Sequence, residues 1–156
     1  MVELFRPSAR ARGKQLDCTS CGLYEGCLSP MMAPAGDATR GIMNIGEAPG
    51  EIEDRRGKPW QGKVGRRLSK AYRDLGINLF GDCVNLNSCQ CRPSDNRTPT
   101  TNEINCCRAV KVDPAIHHYR PHVIVVFGNA ALQSIIGHRW PRSLGGIERW
   151  RGWAIP

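Results

Sequence analysis

The chain has 156 residues, with 22 Lys and Arg against 14 Asp and Glu, a formal charge of +8. That length suits one domain with a real hydrophobic core. A mean hydropathy of −0.40 and a longest aliphatic run of only Val123–Phe127 exclude a membrane-spanning helix. Nothing in Met1–Gln15 has the form of a secretory h-region, so the expected location is cytoplasmic and the eight cysteines point to metal or redox chemistry rather than a disulfide scaffold. A pI near 9.3 points to a polyanionic partner.

In chain order, residues 1–15 carry Arg6, Arg10, Arg12 and Lys14 with no apolar period and read as a flexible basic arm ahead of a single domain over 16–156. Gly41–Gly46 reads as a short buried strand entering a turn at Glu47–Gly50, followed by a charged loop. Val64, Leu68, Ala71 and Leu75 recur at helical spacing and predict a buried stripe, with Arg66, Arg67, Lys70 and Arg73 outside it and a stop near Gly76. A second strand is expected at Cys83–Asn87, with Val84 and Leu86 on one face, and a polar loop over Arg92–Thr101. A helix from Thr101 to about Tyr119 must bend or divide at Pro114. His122–Phe127 is the clearest strand, and Gly128 turns it into a helix over Asn129–Ile136. The segment Arg139–Pro156 is rich in Arg, Trp and Gly, and its Trp150 and Trp153 are candidates to pack onto the sheet. Strands separated by helices predict an α/β fold, a three-layer α/β/α arrangement on a short parallel sheet.

Cys18 and Cys21 enclose two residues, a spacing that brings two sulfurs to one cation. Two further thiolates are available among Cys83, Cys89, Cys91, Cys106 and Cys107, and a four-thiolate set suits zinc or an iron–sulfur cluster. Cys106 and Cys107 are adjacent on an expected helix, where side chains diverge by about 100°, so both are not expected to face one centre. Cys27, Cys83 and Cys89 read equally well as small buried hydrophobes.

Gly46-Glu-Ala-Pro-Gly50 places backbone amides and one carboxylate at the carboxyl edge of a sheet, where open α/β sheets bind ligands. The longer string from Gly46 to Gly65, with Gly57-Lys-Pro-Trp-Gln-Gly inside it and Asn87-Ser-Cys-Gln-Cys-Arg-Pro-Ser-Asp-Asn-Arg97 downstream, resembles the family 4 uracil-DNA glycosylases, which carry a [4Fe-4S] cluster. The resemblance implies cluster ligands Cys18, Cys21, Cys91 and Cys107; the cysteine spacing by itself leaves zinc as the alternative metal. It puts Trp60 where the family has a phenylalanine that stacks on extruded uracil, and Asn87 where the family reads the uracil edge. An amide offers a donor to a carbonyl and an acceptor to N3–H, the reverse of what cytosine needs. Glu47 becomes the candidate to orient water for attack on the anomeric carbon, with Gly46, Ala48, Pro49, Gly50 and Glu53 around the substrate. Glu53 and Asp54 read equally well as caps that shape the loop.

The family's second catalytic motif, His-Pro-Ser, does not occur in these 156 residues, which end on Trp150–Pro156, the expected position of the strand before it. The insertion of the branch that traps DNA covalently is also absent, which sets that mechanism aside. The expectations are therefore a fragment, a missing part supplied by a partner or a longer polypeptide, or lost catalysis. They translate into two functions. One is hydrolysis of the N-glycosidic bond of deoxyuridine in DNA, as in base excision repair, on single-stranded or uracil-containing DNA. The other is a weakened or inactive DNA-binding module of a replication or repair assembly, held to a protein partner. A zinc-stabilised domain with no DNA role is a third.

Overall fold

Three short strands, β1 (Ile42–Gly46), β2 (Cys83–Asn87) and β3 (Val123–Val126), form a parallel sheet of order β2-β1-β3. The structure is a computed structural model that describes residues 17–137, 139–140 and 143–152. The basic arm expected over residues 1–15 and Trp153 of the tail lie outside the described residues.

The register pairs Met43 with Val84 and Ile124, and Ile45 with Leu86 and Val126. Because side chains alternate along a strand, these residues share one face. Met43, Ile45, Val84 and Leu86 are fully buried there against Val112, Ala115, Ile116 and Ala131. At about 1.5–3 kcal/mol for each buried aliphatic side chain, this face supplies most of the core.

The opposite face is polar inside. Asn44 donates to Asn85 at 2.9 Å and accepts from the Tyr72 hydroxyl at 2.7 Å, while Asn85 donates to the Ala35 and Leu79 carbonyls at 3.0 and 2.6 Å. Burial pushes the Tyr72 hydroxyl up to about 12. Every amide atom of this pair that the fold encloses is thereby matched, which is what makes two asparagines tolerable in the centre of a sheet.

The helices are α1 (Glu51–Arg56), α2 (Lys63–Asp74), α3 (Thr101–Cys107), α4 (Asp113–Tyr119) and α5 (Asn129–Leu132). With α4 and α5 on the apolar face and α2 on the asparagine face, the three-layer α/β/α arrangement stands. Among the described residues no helix is long and apolar enough to cross a membrane.

Two details differ from the sequence reading. The charged loop after Gly50 contains α1, whose Glu51, Glu53 and Asp54 lie in its first turn and Arg55 and Arg56 in its last, complementing the helix dipole. The face of α2 is displaced: Val64 and Leu75 are 69% and 73% exposed, Ala71 is exposed, and Gly65 with Tyr72 turns inward instead. Gly65 permits contact with the backbone of Trp60, and Tyr72 reaches Asn44, so two specific contacts override the aliphatic stripe. Pro114 does divide the long helix, and α3 runs into α4 through a π-helical segment, Arg108–Val112. Pro114 has no N–H to donate, and the widened turn just ahead of it takes up the change of register. The last strand expected over Trp150–Pro156 lies mostly outside the described residues; just before it, Ile147–Trp150 is a 3-10 turn. The Trp150 indole packs edge-on to Trp140 at 5.0 Å and donates to the Leu144 carbonyl at 2.8 Å.

Candidate functional site

Two features meet around the carboxyl ends of β1 and β2. The first is a cavity lined by Cys18, Cys21, Cys89, Cys91, Cys106 and Cys107, closed by Leu23, Met31 and the Lys111 stem. The four sulfurs named from the sequence therefore come together, and Cys89 and Cys106 join them. Adjacent positions on α3 do not keep Cys106 out, because the cavity lies at the helix end. There Cys107 accepts from the Gln90 N–H at 3.3 Å, while the Cys106 thiol turns to the Asp17 carbonyl at 3.8 Å.

The donor set distinguishes two kinds of sulfur. Cys91 accepts from the Met31 N–H at 3.2 Å and Cys107 from Gln90, as thiolate ligands do. Cys27 instead donates to the Leu23 and Arg92 carbonyls at 3.1 and 3.4 Å, behaviour that requires a protonated thiol. Contact with the Cys89 thiol lowers Cys107 while the same contact raises Cys89, so Cys107 is the sulfur of that pair that ionises first. Burial pushes Cys91 up to about 12, the desolvation that a positive centre would reverse. Among the described residues, no three His, Cys, Asp or Glu side chains converge closely enough to hold a single ion. Cys83, buried in β2, lies outside this group, as a small hydrophobe should.

The second feature is the close approach of Trp60 and Asn87 over Gly46. A Cβ at Gly46 would lie 2.6 Å from the Asn87 Oδ1 and 2.9 Å from the Trp60 ring, so only glycine lets the two side chains close over the end of β1. Trp60 has φ of 60°, a costly conformation for a bulky residue. It is held by α2, since a Cβ at Gly65 would lie 1.8 Å from the Trp60 carbonyl oxygen. Its ring meets Phe127 edge-on at 5.3 Å, and its indole N–H is buried without an acceptor. Phe127 went unremarked as a site residue; its signal was an aromatic at the end of the apolar run of β3.

Asn87 is 5% exposed, and neither end of its amide is hydrogen-bonded among the described residues. It shares the sheet face of Asn44 and Asn85, whose amides are engaged. Glu47 follows β1 directly, its carbonyl held by the Ser88 hydroxyl and by the Cys89 N–H at 3.1 Å. The Glu47 carboxylate makes no hydrogen bond among the described residues, so it is available to water or substrate. Ala48 and Gly50 are half-buried in the same loop and Pro49 is buried.

Glu53 and Asp54 are engaged structurally. Glu53 accepts from the Gly62 N–H at 2.7 Å, joining α1 to the start of α2, and lies against Gly50. Buried Asp54 accepts from the Leu28 and Ser29 N–H groups at 3.2 and 2.9 Å. Both carboxylates thus accept from backbone N–H groups of neighbouring segments, Gly62 and Leu28–Ser29, rather than from the Gly46–Gly50 loop.

A family model described as the uracil DNA glycosylase superfamily matches residues 33–155. The chain is also similar to curated proteins named "Type-4 uracil-DNA glycosylase". One from Pyrobaculum aerophilum is 32% identical over 135 residues, covering 85% of this chain and 67% of that protein. One from Thermotoga maritima is 35% identical over 119 residues, covering 76% and 60%. One from Saccharolobus solfataricus is 39% identical over 112 residues, covering 71% and 50%. The chain thus spans about half to two thirds of the length of these relatives.

Proposed function

Because the chain belongs to the uracil DNA glycosylase superfamily, we propose that it excises uracil from DNA by hydrolysing the N-glycosidic bond, leaving an abasic site. The observation that carries the reading is the free amide of Asn87, nearly enclosed at a sheet edge where two neighbouring asparagines are fully matched. An entering base edge would engage both ends of that amide. Its NH2 would donate to a uracil carbonyl and its oxygen would accept from N3–H. Trp60 would lie against the extruded base, worth about 1–3 kcal/mol of stacking.

Glu47 would orient the attacking water and stabilise positive charge building on the sugar, while the Ala48 N–H, without an acceptor among the described residues, offers a donor to the leaving base. Glu53 serves as a positioning residue, fixing Gly62 and hence the approach of α2 to Trp60. The basic character of the chain suits a DNA partner. Extrusion costs least from a single strand, which makes single-stranded uracil DNA the expected preferred substrate.

The resident metal group of this reading is a [4Fe-4S] cluster on Cys18, Cys21, Cys91 and Cys107. Two backbone N–H groups already point at two of these sulfurs, and the cavity they line is apolar. The chemistry such a cluster supplies here is cross-linking: it would tie the segment of Cys18 and Cys21 to the loops that follow β2 and α3, adding folding energy.

The test is release of free uracil from a single-stranded oligonucleotide by wild type and by Asn87→Ala. Release by the wild type, with none from cytosine- or thymine-containing controls and a loss of at least about tenfold in the variant, supports the reading. Undiminished release by Asn87→Ala overturns the assignment of the amide.

A further inference from the structure

The segment Ser88–Gln90 links Asn87 to Cys91 of the thiol cavity and is fully buried. It holds both sides. The Ser88 N–H donates to the Gly46 carbonyl at 2.8 Å and the Cys89 N–H to the Glu47 carbonyl at 3.1 Å, which prolongs the β1–β2 ladder past the strands. The Gln90 side chain donates to the Asn87 carbonyl, and the Gln90 N–H donates to Cys107 at 3.3 Å. These contacts are backbone ladder or loop closure with one exception. The Ser88 hydroxyl donates a second hydrogen bond to the Glu47 carbonyl, already engaged by Cys89.

That second bond has a geometric consequence. In a trans peptide the C=O and the following N–H point in opposite directions within one plane. Holding the Glu47 oxygen from the β2 side therefore turns the Ala48 N–H away from Ser88, and that N–H has no acceptor among the described residues. The same lock fixes the backbone from which the Glu47 carboxylate projects. No peptide in the Gly46–Gly50 loop other than Glu47–Ala48 has its carbonyl held by a side chain among the hydrogen bonds of the described residues.

We propose that Ser88 is a positioning residue for uracil excision: its hydroxyl clamps the Glu47–Ala48 peptide so that the Glu47 carboxylate and the Ala48 N–H are both presented to the substrate. The proposal rests on the glycosylase reading above. The clamp acts on the orientation of reacting groups, so it affects turnover more than affinity.

The experiment compares wild type, Ser88→Ala and Ser88→Thr, each with its iron content and melting temperature measured. The assay is uracil release from single-stranded DNA, with kcat and KM separated. Hydrogen exchange at the Ser88 and Cys89 amides is read in parallel. The expected result is a fall in kcat of about three- to tenfold in Ser88→Ala, the size of one ordinary hydrogen bond. KM and iron content stay within about twofold, exchange at the two amides quickens, and Ser88→Thr restores turnover. Unchanged kcat in Ser88→Ala overturns the proposal. So does a parallel loss of iron, melting temperature and activity that Ser88→Thr leaves unrepaired, since that marks a folding role alone. If the wild type releases no uracil, the glycosylase reading fails by itself. The clamp is then judged by exchange, and unchanged exchange in Ser88→Ala overturns it.

Discussion

Replacing Gly65 by alanine sets two effects against each other. Gly65 is the third residue of α2, and its φ is not in the left-handed region, so alanine there carries no backbone strain. Helix propensity alone predicts a gain of about 1 kcal/mol. Against it, the new Cβ would lie 1.8 Å from the Trp60 carbonyl oxygen, 2.2 Å from its carbon and 2.7 Å from its Cα. All three atoms are backbone, so no side chain can swing aside; either α2 or the Trp60 turn must move by more than 1 Å. Overpacking of this kind costs about 1–3 kcal/mol, and a collision this deep belongs at the upper end. The net effect is a destabilisation of about 2 kcal/mol, or a melting temperature lower by about 4–8 °C for a domain of this size. Displacing Trp60 by such a distance also misplaces the base, and a misplacement of about 1 Å can cost about a hundredfold in rate. A thermal melt and a uracil-release assay on Gly65→Ala read the two consequences separately. A variant that melts at or above the wild type would show that propensity wins and would refute the seating of α2 on Trp60.

Other substitutions separate framework from site. Asn87→Ala removes an amide that no described residue engages, so its melting temperature should stay within about 2 °C of wild type. Asn44→Ala strands the Tyr72 hydroxyl and the Asn85 oxygen and should lower the melting temperature by at least about 5 °C; equal melts would refute the contrast. Thr100 caps α3 in a reciprocal box with Glu103, and Thr100→Ala should cost about 1 kcal/mol in a denaturant titration. The Arg97 fork, at 2.7 and 2.9 Å, holds the Glu103 carboxyl below the usual range. A depressed carboxyl stabilises the fold fully above its unfolded pKa of about 4.3 and loses that contribution as pH falls through its folded value. Arg97→Met should therefore be less stable than wild type at neutral pH, with the gap closing below about pH 4. A gap that widens in acid would contradict the sign. Cys91→Ser should lower iron per chain and solubility together; full iron content would remove Cys91 from the ligand set.

Much of this architecture was legible because it depends on local signals. β2 coincides with its expected span, β1 and β3 fall within a residue or two, and Gly76 follows α2 at φ of 69°. The resemblance read from Gly46–Gly65 and Asn87–Arg97 agrees with the family match. What was not legible depended on contacts between distant segments. The stripe Val64, Leu68, Ala71, Leu75 is a sound amphipathic signal, yet Gly65 against Trp60 and Tyr72 against Asn44 choose a neighbouring face. Cys89 was as readable as a small hydrophobe as a cavity thiol, and only the fold brings it against Cys107. Ser88 carries no motif signal, since its meaning lies in the carbonyl it faces across the sheet. α1 was missed although its acids and bases are ordered along the helix dipole, because six residues are too few to show an apolar period.

The most direct test of the account is strand cleavage of uracil-containing single-stranded DNA by anaerobically purified protein of verified iron content, with alkali to break abasic sites. The wild type should cleave only at uracil, and Glu47→Gln, with the same iron content and melting temperature, should lose that cleavage by about a hundredfold or more. Cleavage by Glu47→Gln at the wild-type rate, or none from iron-loaded wild type, would contradict it.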